Sequence, residues 1–333
     1  MIDFTCTHRL FSLNQLIQIT SQKLMLPFYH TISEQRLPHI SNLYTLKTIH
    51  QFKQDLEYIC TYYQPISIEE LRDIVYYEKK ITKPIFHLSF DDGLKELYTD
   101  IAPILEKKGI PATFFINTDF IDNKALFYRY KVSLIIEEIS QNKASLSALS
   151  TYFGIHTNKL NSIKQRLLAY KYNNITEIEK IALFLGLDFT EYLQKHKPYL
   201  SKNQTKELLT RGFSIGSHSM NHPHFKDIDT HEKKRQIHGS FNYLEKKLDI
   251  HSYYFSYPFS DESVEQDFFN WLYYDAHCKL SFGISGLKHD FSGKHLHRIP
   301  CEQGKKNVQD ILKKEYLYYI LKTFFNKNRI NRK

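Results

Sequence analysis

Short apolar runs alternate with amphipathic stretches over most of the chain. Residues 23–30 carry Leu24, Met25, Leu26, Pro27, Phe28 and Tyr29 in succession and read as a buried strand. Phe52, Leu56, Ile59 and Cys60 then recur at helical spacing and predict a helix over 48–63. A short strand at 66–68 leads into a second helix, and residues 84–90 form another apolar strand. Ile101, Ile104 and Leu105 share one face of a helix over 98–108, which Gly109 ends as a left-handed cap. Residues 111–116 read as a buried strand. The same rhythm returns later in the chain: helix 203–211, strand 212–216, helix 231–248, strand 253–257, helix 263–274 and strand 279–284. Strands separated by helices predict a parallel sheet or barrel, with the chemistry at the carboxyl ends of the strands.

The rhythm breaks between about 122 and 203. Residues 132–139, 163–170 and 175–185 are helical in period and carry few strand signals, which predicts a helical insertion. The barrel core is then expected at about 24–121 and 204–305, within a single domain, followed by a basic helix and tail at about 307–333. With 42% apolar residues among 333, a buried core is well supplied. The formal charge of +9 comes from lysine spread along the whole chain, and no nucleic-acid motif accompanies it, so no nucleic-acid partner is expected. Cys6, Cys60, Cys278 and Cys301 form no CxxC pair, which predicts reduced thiols and no thiolate metal site. Residues 1–22 lack the continuous apolar segment of a signal peptide, and no run is long enough to span a bilayer. A cytoplasmic location is the expectation. The aromatic and basic residues over 313–333 suit peripheral contact with an anionic membrane surface.

Two strand ends carry clustered chemistry. The strand at 84–90 runs into Asp91-Asp92-Gly93, and the strand at 212–216 runs into Ser217-His218-Ser219-Met220-Asn221-His222. Neighbouring side chains leaving a strand point in different directions, so Asp91 and Asp92 suit two tasks. His218 and His222 are spaced to converge on one ion from a helical turn or a compact loop. One carboxylate and two imidazoles hold a divalent metal, and the second carboxylate is left as a base.

The order Ser89-Phe90-Asp91-Asp92-Gly93, then Pro111-Ala112-Thr113-Phe114-Phe115-Ile116, then Ser217 to His222 resembles the polysaccharide deacetylase (NodB-homology, carbohydrate esterase family 4) family. The resemblance covers roughly 24–117 and 204–300 and leaves the helical insertion outside the common core. It implies an α/β fold, a distorted (β/α) barrel forming a single catalytic domain. It also implies a metal-dependent hydrolase that removes an N-acetyl group from an amino sugar in a polysaccharide or glycoconjugate, releasing acetate. Asp92, His218 and His222 would hold one divalent metal, zinc first, with cobalt, nickel or iron also suited to such ligands. Asp91 would be the general base. The partner implied is an N-acetylated glycan or glycolipid.

The chain departs from the family pattern in three places, one of them the usual Asp-Trp motif, which is not recognisable. The usual Arg-x-Pro-aromatic motif reads Ser256-Tyr257-Pro258-Phe259, so the arginine that braces the base is missing there. Arg298 is the expected substitute, and the Phe259 N–H the expected oxyanion donor. The Leu-x-His motif of the general acid has only His295 and His297 as approximate matches, of which His297 is the expected acid. His30, Tyr257, Pro258, Phe259 and Arg298 complete the expected substrate-contacting set. His87 is expected to face the helices around the barrel, and Phe127-Tyr128-Arg129-Tyr130 to open the insertion as packing residues or a sugar-stacking surface. The irregular motifs keep three alternatives open: an O-acetyl esterase, another amide hydrolase on the same scaffold, or a non-catalytic glycan-binding relative.

Overall fold

The computed structural model describes residues 11–155, 160–304 and 306–332, so Cys6 lies outside the described residues. Eight parallel strands form the central sheet: β1 Pro27–Tyr29, β2 Leu88–Phe90, β3 Ala112–Ile116, β4 Ser214–Ser217, β5 Tyr253–Ser256, β6 Cys278–Gly283, β7 His295–His297 and β8 Ile299–Pro300. Their order is β7-β6-β5-β4-β3-β2-β1-β8. The two edge strands are consecutive in sequence, joined at Arg298. That segment bonds to both sides of the seam, Arg298 N–H to the Gly283 carbonyl at 3.0 Å and Ile299 N–H to the Leu26 carbonyl at 2.8 Å. The sheet is therefore a nearly closed barrel. A three-stranded parallel sheet of Leu24–Met25, Ile85–Phe86 and Gln64–Pro65 extends it.

The strands read as continuous apolar runs because both faces are covered. Leu88, Phe90, Phe114 and Phe255 pack outward into the helical layer, while Phe115, Tyr254, Leu280 and Phe282 fill the lumen. Alternation along β2 turns Ser89 inward, and His87 with it. His87 is bonded to Thr113 Oγ1 and to the Ile66 carbonyl, both at 2.9 Å. It faces the barrel interior, not the helices as expected. The helix expected at 98–108 starts as a π-turn over Leu97–Ile101 and continues as Ala102–Lys108. Pro103 lacks the N–H that would reach back to the Thr99 carbonyl, so the α-pattern cannot run through that turn. Gly109 caps the helix at φ +63°.

Between β3 and β4 the chain forms the helices Tyr128–Gln141, Lys143–Tyr152, Leu160–Leu168, Ile175–Phe184 and Phe189–His196. They enclose a core of their own that also takes in Ile40 and Phe259 from the barrel's rim. At the far end of the chain, the helix Val308–Phe324 buries Ile311, Leu312 and Tyr316. Tyr316 and Tyr63 share a hydroxyl contact at 2.7 Å. The last described residues fold back on the barrel: Ile330 N–H bonds the His289 carbonyl, and Arg332 lies between Asp261 and Asp290. Phe324 and Phe325 stay exposed. Among the described residues, no helix is long and apolar enough to cross a membrane.

Candidate active site

Asp91 and Asp92 leave the end of β2, and Gly93 follows at φ +66° with its α-carbon packed toward Ile116. A side chain there would be strained and tight against that isoleucine, so glycine lets the turn close beneath the carboxylates. His218 and His222 leave β4 in a compact loop, not a helix. Side chains stand in for backbone pairing there. Ser219 Oγ accepts from His222 N–H at 3.0 Å, and Gln236 Oε1 accepts from the N–H groups of Met220 and Asn221 at 3.0 and 3.2 Å. Asp92, Ser219, His222 and Phe259 all have positive φ. Such non-glycine strain costs on the order of 1–3 kcal/mol per residue and concentrates at functional sites.

The two loops bring three donor groups together. Asp92 Oδ1 lies 3.3 Å from His222 Nε2 and 3.7 Å from His218 Nε2. Ligands of a tetrahedral zinc ion stand about 3.4 Å apart, so the spacing fits. Asp92 Oδ1 is buried with no hydrogen-bond partner among the described residues, which is costly unless a cation or donor meets it. His218 Nδ1–H donates to the Ser256 carbonyl at 2.8 Å, leaving the lone pair on Nε2 aimed at Asp92. Burial, aided by His222, outweighs Asp91 and lowers the His218 pKa to about 4, so the ring is neutral at pH 7. The donor set fits a divalent metal.

Asp91 stands beside this cluster, its Oδ2 3.9 Å from His218 Nε2. Arg298 grips it through both oxygens, Nη1 to Oδ1 at 2.8 Å and Nη2 to Oδ2 at 2.7 Å. The guanidinium also donates to Ser89 Oγ and Ser256 Oγ at 3.0 and 2.6 Å. Ser256, where the family has arginine, thus becomes a partner of the arginine that arrives from the seam. Burial pushes the Asp91 carboxyl up, but Arg298 and His218 hold it below the usual carboxylate range.

Above these groups opens a cavity of about 340 Å³, lined by His30, Tyr44, Phe127, Arg129, Tyr130 and Phe259 among others. His30 Nδ1 is 2.9 Å from Glu302 Oε2. Burial works against its charge, yet the hydrogen bond and charge of Glu302, with Asp92 and Asp91, raise its pKa to about 9. Phe259 leans on His222 and His224. Its φ of +59° follows from a tight turn in which Ser260 N–H bonds the Pro258 carbonyl at 2.8 Å. Tyr257 borders the cavity, but its ring packs among Phe225, Phe255 and Phe269 in the helical layer.

His297 is not brought into this cavity. On β7 the side chains alternate, so Leu296 and Arg298 face the lumen and His295 and His297 face away. His297 Nε2 lies 3.0 Å from Asp290 Oδ2, and its Nδ1 accepts from Ser285 N–H at 3.3 Å. Arg298 and His297 are strand neighbours and cannot both reach the site. That exclusion is readable from the sequence. The role of Glu302 had no sequence signal, because its partner is 272 positions away.

The structure is a nearly closed parallel barrel with an Asp-His-His cluster, a candidate metal centre, and a braced second aspartate at its strand ends. The polysaccharide deacetylase family matches residues 78–268, more than half of the chain, and the chain belongs to that family. Similar solved structures include the Streptococcus pyogenes deacetylase PplD, at 16% identity and TM-score 0.55, covering 86% of this chain and 96% of that one. IcaB from Ammonifex degensii is similar at 14% identity and TM-score 0.54, covering 88% and 97%. A de-N-acetylase from Aggregatibacter actinomycetemcomitans follows at 14% and 0.52, covering 86% and 99%. At these identities the likeness is one of fold. A comparison with curated protein sequences finds no match.

Proposed function

We propose that this chain is a metal-dependent N-deacetylase that hydrolyses the acetamido group of an amino sugar in a glycan or glycoconjugate. The observation that carries the reading is the placement of Asp91. It is fixed by Arg298 and lies beside the converging Asp92, His218 and His222, at the floor of a cavity with His30 on its wall. Family membership supports the reaction class. A fold neighbour solved with acetate and another described as a de-N-acetylase agree with it.

Asp92, His218 and His222 would hold the ion, with zinc the first choice. A divalent metal there supplies a Lewis acid for the amide carbonyl and lowers the pKa of water toward about 7. Asp91, kept ionised by Arg298, takes the proton of the attacking water. The fork also stops Asp91 from turning toward Asp92, which leaves the two carboxylates in separate roles. The Phe259 N–H steadies the oxygen that gains charge as the carbonyl carbon becomes tetrahedral. His30, protonated and oriented by Glu302, gives its proton to the departing nitrogen, and we assign the general-acid role to it in place of His297. Water has then been split between acetate and a free amino sugar.

The test is metal content of the purified protein together with acetate release from a panel of N-acetylated and O-acetylated sugars and glycans, with Asp91→Asn as control. Stoichiometric metal and acetate release from N-acetylated substrates, lost in Asp91→Asn, is the expected result. Release from O-acetyl esters alone would replace the reading with an esterase, and a protein without metal would overturn the site.

A further inference from the structure

Among the described residues, the helical insertion makes one hydrogen bond to the Asp-His-His cluster, through a hydroxyl. Tyr130 lies in the first turn of the helix Tyr128–Gln141, fully buried. Its Oη donates to Asp92 Oδ2 at 2.9 Å. The other oxygen of the same carboxylate, Oδ1, is the one without a partner and the one that faces His218 and His222. The two oxygens of Asp92 are therefore used differently: one is held by the insertion and one is offered to the cluster. The tyrosine is itself held, its ring edge-on to Phe127 at 5.1 Å and stacked on Tyr199 at 6.2 Å. Tyr199 in turn accepts from Phe127 N–H at 3.0 Å, so ring and backbone of this turn are tied together. Phe127 also lies against the His222 ring at 4.4 Å.

We propose that Tyr130 is a positioning residue that orients Asp92 so that Oδ1 alone is presented to the divalent metal, which makes the helical insertion a working part of the metal centre. The inference rests on the metal reading of Asp92, His218 and His222. A carboxylate without such a donor turns freely about its last bond and can present both oxygens. Partners that orient a ligand carboxylate typically change metal affinity by about 10- to 100-fold. The arrangement also means that displacement of the insertion would reach the cluster through this hydrogen bond and through Phe127 against His222.

The experiment compares the unsubstituted protein with Tyr130→Phe, measuring cobalt and zinc affinity against a chromophoric chelator and recording the visible spectrum of the cobalt-loaded protein. Circular dichroism checks the fold. Tyr192→Phe, which removes an insertion hydroxyl bonded to His39 at 2.8 Å, serves as control. The expected result is stoichiometric metal in the unsubstituted protein and about 10- to 100-fold weaker binding with altered cobalt bands in Tyr130→Phe. The control should match the unsubstituted protein in both. Unchanged affinity in Tyr130→Phe overturns the role of the tyrosine and leaves the metal centre standing. Weaker binding with an unchanged cobalt spectrum overturns it too, since the ligand arrangement would then not depend on the hydroxyl. Failure of the unsubstituted protein to bind metal overturns the metal reading and this inference with it.

Discussion

Arg298 and Asp91 meet fork to carboxylate across the barrel lumen, 207 positions apart in sequence, at 2.8 and 2.7 Å. Arg298 belongs to the segment that closes the barrel between β7 and β8, so closure of the fold carries the guanidinium to Asp91. Its guanidinium also lies over Phe28 at 4.2 Å, which fixes its plane. Arg298→Lys keeps the charge and loses the planar fork. We expect kcat to fall by about 10- to 100-fold, with KM little changed, because orientation and not substrate binding is lost. Steady-state kinetics on an active glycan would show it, and wild-type kcat would refute the bracing role.

Removal of the base should separate chemistry from metal binding. Asp91→Asn is expected to retain full metal content while losing about 10²- to 10⁴-fold in turnover, the usual range for general base catalysis. His218→Ala should lose both metal and turnover. Metal analysis beside acetate release distinguishes the two, and a metal-free Asp91→Asn protein would make Asp91 a ligand.

Glu302 raises the pKa of His30 to about 9, against the effect of burial. A general acid works only while protonated, so activity should fall as pH rises through this value. Replacing the carboxylate removes the raising influence, and the sign follows directly. Glu302→Gln should move the alkaline limb of the kcat/KM profile to lower pH. An alkaline limb that does not move would remove His30 from the acid's role.

The tail has a structural task that its composition did not suggest. The Arg332 side chain is almost fully buried and bonds both Asp261 and Asp290. Burial raises both carboxyl pKa values, but His295 and His297, with Arg332, hold them well below the ordinary carboxylate range. The stability these pairs contribute is therefore present above the usual carboxylate pKa and lost as pH falls below it. Arg332→Ala leaves buried carboxylates without their guanidinium and should cost about 3–5 kcal/mol at pH 7. Denaturant unfolding measures this, and a midpoint equal to wild type would show the pairs to be inconsequential.

The sequence by itself determined the alternation of strands and helices, the ends of β2 and β4 where Asp91, Asp92, His218 and His222 gather, and the helical character of residues between β3 and β4. These are local properties: period, cap residues and the residue types at a strand's exit. Tertiary structure decided which side of each strand is the inside. Period-two alternation says only that His87 shares a face with Ser89, and that His297 and Arg298 do not share one. Closing the barrel assigns those faces, so His87 and Arg298 turn inward and His297 turns out toward Asp290. Closure also places β8 beside β1, which delivers Glu302 to His30, a pairing that no local pattern encodes. Tyr130 reaches Asp92 for the same reason. A helix reads as amphipathic from its own residues, but what its buried face meets is settled only when the chain has packed.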